Sequence, residues 1–208
     1  KRQAYNGASF AGSKSRTGVG AGLSASTTFS RTFPTQSKLL GLNRLRHVVI
    51  PYVQFETLSV SGAASSEFVQ MDQVDQIDSG SVTTIGLKQR FQTKRWRDEQ
   101  WRSIDWMELD LAYVKRSSDS VNMLLDEDYI SADMEMRLTD HVSLHSRDNR
   151  FGLENLRDVW NFGMSLDWAP GLKADLDYDR IEGVSSTFTT GLYYPLSDRY
   201  ALLLDERY

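Results

Sequence analysis

The chain has 208 residues, a formal net charge of −4 and no cysteine. Its acidic and basic residues are mixed, so no basic patch indicates a nucleic acid partner, and disulfide or thiol chemistry is excluded. Hydrophobic residues make up 40% and aromatic residues 11%, which suits a single sheet with one apolar face better than a thick two-layer core. No run of about eighteen apolar residues occurs, which excludes a helical membrane protein but not a β-barrel, whose strands need about ten alternating residues.

Residues 1–17 are small and polar and are predicted to form a loop that leads into a single domain, residues 18–208. From Gly18 to Phe33 the apolar residues stand at odd positions, which predicts a first strand of about fifteen residues. A second strand is predicted from Arg46 to Val60. Within it, Pro51 cannot donate a backbone hydrogen bond and marks an edge, a bulge or a kink.

The most regular pattern lies between Ser81 and Lys115. Two arms of alternating apolar and polar residues flank Glu99 and predict an antiparallel hairpin that closes near this residue. A single register satisfies both faces of the hairpin, because it pairs opposite charges on one face and apolar residues on the other. The predicted pairs are Lys88 with Asp110, Arg90 with Glu108, Leu87 with Leu111 and Phe91 with Met107.

The same alternation predicts six further strands, so that the chain contains about ten. Residues 148–158 are charged and are predicted to connect two of them. The connections after the second, fourth and sixth strands are long, whereas those after the third, fifth, seventh and ninth are short, as in outer-membrane barrels. The short turn predicted at Glu182-Gly183, after the eighth strand, breaks this alternation. The further strands are predicted at residues 129–138, 142–147, 160–168, 172–179, around 188–192 and 200–208.

Aromatic residues gather near the ends of the predicted strands, where a membrane interface would place them. They are Trp96, Trp101, Trp106, Trp160, Trp168, Tyr193, Tyr194 and Tyr208. The polar faces of these strands would be costly in a dry core, because a buried charge without a partner is strongly destabilising. The predicted fold is therefore an all-β, antiparallel transmembrane β-barrel of the outer membrane, or a section of one. Its predicted lumen-facing charged ladder is Lys88, Arg90, Lys94, Glu108 and Asp110, and its predicted lipid-facing residues are Ile85, Leu87, Phe91, Leu109, Leu111, Trp160, Phe162 and Leu166.

Several stretches carry a family resemblance. An Asp-x-x-Asp loop, VDQIDSG, leads into a strand of the form GL-x-x-R-x-x-TKR, which reads GLKQRFQTKR here. The segment RHVVIPYVQF precedes it, and IDWMELDLAYV, DWAPGLKADLDYDR and LYYPLSDRYALLLDERY follow. Over about Arg46 to Tyr208 the chain resembles the barrel of the LPS-assembly outer-membrane proteins, also called organic solvent tolerance proteins.

This resemblance implies a non-enzymatic translocon that inserts lipopolysaccharide into the outer leaflet of the outer membrane of a Gram-negative bacterium, with no cofactor. The partners that it implies are outer-membrane lipids, lipopolysaccharide, a plug lipoprotein and periplasmic bridge components. Members of the family have a periplasmic jelly-roll domain and many more than ten strands, so this chain looks like a section of such a barrel. It also lacks the cysteines of the members that carry interdomain disulfides.

Three groups of residues are candidates for chemistry. His141, Ser143 and His145 share a strand face and fit a metal pair or a lipase-like site, although two polar lumen residues beside a turn are the favoured interpretation. Asp72, Asp75 and Asp78 recur at every third position and are candidate calcium ligands, although a solvated acidic loop is favoured over a metal site. Lys88, Arg90 and Lys94 could bind lipid phosphate groups, although cross-strand pairing with Glu108 and Asp110 uses two of them.

Nucleotide-binding glycine loops and the HExxH and GxSxG motifs are missing from the sequence. Enzymatic activity is therefore not expected. Two alternatives remain open at this point: a soluble or surface-bound β-domain that acts as a binding or adhesin module, and an outer-membrane phospholipase.

Overall fold

A computed structural model describes residues 15–63, 79–97, 99–118, 128–153, 157–168, 171–197 and 199–208. These residues form an all-β structure, and none of its elements is a helix that could span a membrane. Every strand pairing is antiparallel, and nearly every strand lies beside its neighbour in sequence. The strands are β1 (Arg16–Ser26), β2 (Phe29–Ser37), β3 (Leu42–Gly62), β4 (Gly80–Arg97), β5 (Gln100–Ser118), β6 (Tyr129–Arg137), β7 (Val142–Gly152), β8 (Val159–Trp168), β9 (Leu172–Ile181), β10 (Ser185–Ser197) and β11 (Tyr200–Arg207).

The strands form one sheet in the order β1-β3-β4-β5-β6-β7-β8-β9-β10-β11, with β2 also paired to β3. The sheet is not closed in the described part of the chain: β1 and β2 form one edge and β11 the other. This confirms the predicted all-β antiparallel fold. The strand number is eleven rather than ten, because the predicted first strand is divided into β1 and β2.

The division between β1 and β2 is caused by the proline of β3. Both strands follow the same register against β3, with Ser26 opposite Tyr52 and Phe29 opposite Val49. Continuing that register would place Thr27 opposite Pro51, which has no N–H to donate. The backbone of Thr27 donates to the carbonyl of Pro51 at 3.2 Å, but the return bond is missing, and the edge strand is interrupted there.

Replacing this proline is expected to repair the strand. In Pro51→Val the new N–H can donate to the edge strand, so β1 and β2 should become continuous and the chain should gain about 1 kcal/mol of stability. Hydrogen exchange of the Thr27 amide, which points towards β3, measures the change, and its protection should rise to the level of Leu23. Exchange at this amide as fast as in the unaltered chain would contradict this account of the interruption.

The hairpin formed by β4 and β5 has the predicted register. Lys88 lies opposite Asp110, and Leu87 lies opposite Leu111. The register changes by one residue beyond Phe91, where Trp106 is an extra residue in β5. This bulge lets the two strands close at Arg97 and Gln100, with Glu99 in the turn at a φ of 62°.

Two strand boundaries differ from the predictions. The strand predicted to end at residue 147 continues as β7 to Gly152, so the first five residues of the predicted loop 148–158 belong to a strand. Alternation is lost in β7 because the register against β6 shifts between Ala132 and Met134, and a periodicity argument cannot follow such a shift. At the start of the chain, β1 begins at Arg16, inside the predicted loop 1–17. Residues 1–14 lie outside the described residues.

The connections are unequal at the two ends of the sheet, as predicted. At one end, called the turn end, the strands are joined by the short segments 38–41, 98–99, 138–141, 169–171 and 198–199. At the other, called the loop end, the connections are 63–79, 119–128, 153–158 and the short turn 182–184.

Arg95 braces the turn end. Its side chain is 8% exposed. It donates to Asp140 Oδ1 at 2.8 Å and to the carbonyls of Arg137 and Leu138 at 2.8 and 2.9 Å. The guanidinium of β4 therefore reaches across β5 to the turn that joins β6 and β7. Three hydrogen bonds from one charged group fix this turn more firmly than a single exposed ion pair would.

Candidate functional site

The two faces of the sheet differ in chemistry. We call the face that carries Lys88 and Asp110 the polar face, and the face that carries Leu87 and Leu111 the apolar face. Residues that lie opposite each other in the register point to the same side of the sheet, so each face can be followed from one strand to the next. All five residues of the predicted charged ladder lie on the polar face by this register, and all eight predicted lipid-facing residues lie on the apolar face.

The charged ladder forms one of its two expected ion pairs. Arg90 Nε lies 3.3 Å from Glu108 Oε1 and 3.7 Å from Asp105 Oδ1. Lys88 and Asp110 are opposite each other in the register, but no ion pair joins them in the described part of the chain. The Asp110 carboxylate instead accepts a hydrogen bond from Tyr52 Oη at 2.9 Å. The predicted cross-strand position of Lys88 and Asp110 is thus correct, but the predicted ion pair is not formed. The Asp110 carboxylate binds the hydroxyl group of Tyr52, two strands away, instead.

Four carboxylates face one another at the centre of the polar face. Asp110 lies opposite Asp133, and Glu108 lies opposite Glu135. Like charges placed directly opposite destabilise a sheet. Each of these carboxylates, however, has a separate partner: Tyr52 for Asp110, the Asp148 backbone N–H at 2.6 Å for Asp133, Arg90 for Glu108, and Arg137 at 3.1 Å for Glu135.

Each of the four carboxylates thus has a hydrogen-bond or ion-pair partner within the chain. No group of three or more His, Asp or Glu side chains in the described ranges is arranged to hold a metal ion. Asp72, Asp75 and Asp78, the candidate calcium ligands, lie outside the described residues. Lys88 and Lys94 also remain available on the polar face, since neither has an ion pair within the described residues; Lys94 lies near the turn end, opposite Ser103.

Tyr52 reaches Asp110 because glycine occupies the strand between them. Tyr52 lies opposite Gly86, and its ring covers the position that a Cβ atom of Gly86 would take. Any side chain at residue 86 would collide with the ring. The glycine therefore allows a hydrogen bond from β3 to β5 across β4.

His145 forms a second contact of the same kind. It lies opposite Gly163, and its Nε2 is 2.7 Å from Asp177 Oδ1 on β9. A Cβ atom at Gly163 would overlap both side chains. We call the two sets Tyr52–Gly86–Asp110 and His145–Gly163–Asp177 the bridging contacts, because each joins three neighbouring strands through side chains on the polar face.

The two predicted histidines have different environments. His145 is buried in its bridging contact, whereas His141 is exposed at the turn end, where its Nδ1 lies 2.6 Å from the backbone carbonyl of Asp167. The described residues contain no hydrogen bond between Ser143 and either histidine, so the geometry gives no support to a lipase-like site. The arrangement agrees with the interpretation of polar residues beside a turn.

Strand β7 contains a bulge between His145 and Arg150, where its register against β6 and β8 shifts. Asp148 has a φ of 55°, and Asn149 is buried. Side chains replace the backbone ladder there: Asn149 Nδ2 donates to the Ala132 carbonyl at 2.7 Å, and its Oδ1 accepts from the Asn161 N–H at 2.7 Å. Arg147 consequently lines the same depression as Lys88 and the four carboxylates.

The apolar face is largely uncovered. Only a few apolar residues are buried in the described part of the chain, and three of them, Val48, Ala112 and Val114, lie on the polar face by the register. Ile85 is 57% exposed, and Trp160 and Phe162 are about half exposed. Leu87, Phe91, Leu109 and Leu166 are partly exposed. This face therefore presents a band of large apolar side chains that no other part of the described structure covers.

The width of the band is clearest on β8. Its apolar face begins with Trp160 and ends with Trp168, and the residues between them on that face are Phe162, Met164 and Leu166. Eight steps of about 3.4 Å span about 27 Å along the strand, or about 21 Å for a strand tilted by about 40°. Not every predicted boundary aromatic belongs to the band, however: Tyr193 is on the polar face, opposite Lys173.

One polar pair interrupts the apolar face. His47 Nε2 lies 3.1 Å from Gln89 Oε1, and the His47 ring stacks on Phe91 with 4.2 Å between ring centroids. The two polar groups satisfy each other and the imidazole is covered by an aromatic ring. Their cost in an apolar environment is reduced accordingly.

Sequence reasoning did not identify the bridging contacts. A signal was present in each case, because Gly86 and Gly163 interrupt strands at positions on the polar face. A glycine in a strand does not, however, identify which neighbouring side chain covers it, so the two glycines alone could not predict the contacts.

Comparisons with known proteins gave no match of any kind: no protein-family model, no curated protein and no solved structure resembles the chain significantly.

Proposed function

We propose that this chain is part of the wall of an outer-membrane β-barrel that takes part in inserting lipopolysaccharide into the outer leaflet. The observation that carries the membrane part of the proposal is the uncovered apolar face. Valine, leucine, isoleucine and aromatic side chains stay exposed on strand after strand of this face, including Leu23, Ile85, Phe162 and Leu204. A soluble protein rarely exposes so wide an apolar surface.

The dimensions and the opposite face support the same environment. The band of about 21 Å estimated on β8, with a tryptophan at each end, approaches the roughly 25 Å of apolar surface between aromatic girdles in outer-membrane barrels. The polar face carries ion pairs and carboxylates that require water or hydrogen-bonding partners. An apolar exterior and a wet interior satisfy both faces at once, whereas a soluble binding or adhesin module would leave the apolar face in water.

The transport part of the proposal rests on the resemblance to the LPS-assembly outer-membrane proteins. Its partners would be outer-membrane lipids on the apolar face, lipopolysaccharide, a plug lipoprotein on the polar face and periplasmic bridge components. No catalytic step is proposed.

Depletion in the bacterium that carries the protein tests both parts. The protein should fractionate with the outer membrane, and its depletion should lower the lipopolysaccharide that reaches the cell surface, measured by surface labelling. Restoring the gene from a plasmid should restore the label.

The two readouts fail separately. Recovery of the protein in the soluble fraction would contradict the membrane assignment. Outer-membrane location with unchanged surface lipopolysaccharide would contradict the transport role and leave the barrel assignment standing.

A further inference from the structure

Two arginines contact one tyrosine at the loop end of the polar face. The guanidinium of Arg116, on β5, lies 5.3 Å from the centre of the Tyr129 ring, and that of Arg150, on β7, lies 5.8 Å from the same centre. Arg116 Nη2 also donates to Tyr129 Oη at 3.2 Å. Tyr129 is 9% exposed, so a buried ring lies beside both cations.

Neither cation has an ionic partner among the residues that the structure describes. Within the described residues, no carboxylate lies within ion-pair distance of Arg116 or Arg150, whereas Arg90, Arg95 and Arg137 each have one. In addition, Arg116 Nε is buried without a hydrogen-bond partner. Two like charges over one ring, one of them partly desolvated, repel each other, and an ionic partner would remove that cost.

The neighbouring carboxylate is already occupied. Asp128 Oδ1 accepts from the backbone N–H of Arg116 at 3.3 Å, and Asp128 Oδ2 accepts from the hydroxyl of Tyr113. This carboxylate therefore binds the backbone of Arg116 and forms no ion pair with its guanidinium. Among the described residues, the positive charge of the two arginines is thus left for a ligand from outside the sheet.

We propose that Arg116 and Arg150 form a binding site for a phosphoryl group. Guanidinium groups present several N–H donors in a planar fork that matches the oxygens of a phosphate, and such charge-assisted bonds are among the strongest in proteins. Arg150 is exposed, so a phosphoryl group can approach from the polar side at the loop end. The phosphoryl group could belong to free phosphate or to a lipid headgroup, and only the lipid source rests on the proposed membrane function.

Binding by the full 208-residue chain in alkyl maltoside micelles tests the site. Inorganic phosphate is titrated calorimetrically at constant ionic strength in one arm. In the second arm the micelles contain either phosphatidic acid or, as a control, diacylglycerol. We expect binding in at least one arm, and the double variant R116Q/R150Q should weaken it by about tenfold or more, as the loss of charged hydrogen bonds requires.

Arg207→Gln is the matched control. Arg207 lies on the polar face near the loop end, opposite Thr189, and has the same charge, but it belongs to the distant strand β11. The Arg207→Gln variant should bind inorganic phosphate or phosphatidic acid with the affinity of the unaltered chain. If R116Q/R150Q fails to fold by circular dichroism, R116K/R150K replaces it. This variant keeps the charge, loses the fork and should bind about threefold or more weakly.

Binding of inorganic phosphate that depends on the two arginines would support the site, and arginine-dependent binding of phosphatidic acid alone would assign it to lipid headgroups. Absence of binding in both arms would overturn the proposal. Equal affinity in the unaltered chain and in the folded arginine variant would overturn it as well. None of these outcomes depends on whether depletion of the protein alters surface lipopolysaccharide, so the two proposals can fail independently.

Discussion

Leu87→Arg is expected to destabilise the chain in a lipid bilayer by about 2–4 kcal/mol, the range for a cation at the midplane of the lipid face of a barrel. Leu87 lies near the middle of the apolar band, between Pro51 on β3 and Leu111 on β5. An arginine there would have to leave water for hydrocarbon or distort the surrounding lipid. Urea titration of the chain in phosphatidylcholine vesicles, followed by tryptophan fluorescence, measures the loss.

Gln54→Arg is the control for that substitution. Gln54 is an exposed residue of the polar face on β3, opposite Thr84, and the new arginine would remain in water. Its effect should stay within about 0.5 kcal/mol, as for ordinary surface changes. A larger cost for Gln54→Arg than for Leu87→Arg would mean that the faces are reversed, and equal small costs would mean that neither face meets lipid.

Gly86→Ala is expected to cost about 2–3 kcal/mol, because the new methyl group would occupy the space of the Tyr52 ring. The ring must then move, and its hydrogen bond to Asp110 at 2.9 Å is lost, which leaves that carboxylate opposite Asp133 without its partner. The same urea titration measures the change.

Two further variants make the Gly86 result specific. Gly191→Ala places a methyl group on the same face of β10, where the nearest atom is 3.8 Å away, and should change the stability by no more than about 0.5 kcal/mol. Combining Gly86→Ala with Tyr52→Ala should cost clearly less than the sum of the two single changes, because the collision disappears. Strict additivity would show that the ring and the glycine do not interact.

The alternation of side chains predicted which residues share a face, because in a strand this depends only on local geometry. It also predicted the register of β4 and β5, where opposite charges and apolar pairs agree on one solution. It did not predict the bulge at Trp106 or the bulge around Asp148, because each adds a residue to one strand and a periodic pattern does not show where this happens. It also did not predict the interruption at Thr27. There the register is unchanged, and the break follows from the missing N–H of Pro51.

For the candidate site, the sequence predicted on which face the charged residues lie, but not all of their hydrogen-bond and ion-pair partners. Asp110 was paired with Lys88 on grounds of charge, whereas the structure pairs it with Tyr52. Arg116 and Arg150 were not recognised, since they stand on β5 and β7 and become neighbours only through Tyr129 on β6. Contacts that skip a strand require knowledge of ring orientation and of the space above a small residue, and neither follows from spacing.

The strand order has a consequence for how this sheet folds and grows. From β3 to β11 each strand pairs with the next one in the chain, so every pairing closes over a single connection between consecutive strands, and the entropy of loop closure stays small. Stability should then accumulate hairpin by hairpin, much as in repeat proteins, where each unit contacts only its neighbours. A sheet of this kind can gain or lose a hairpin at either edge while the remaining pairings keep their register.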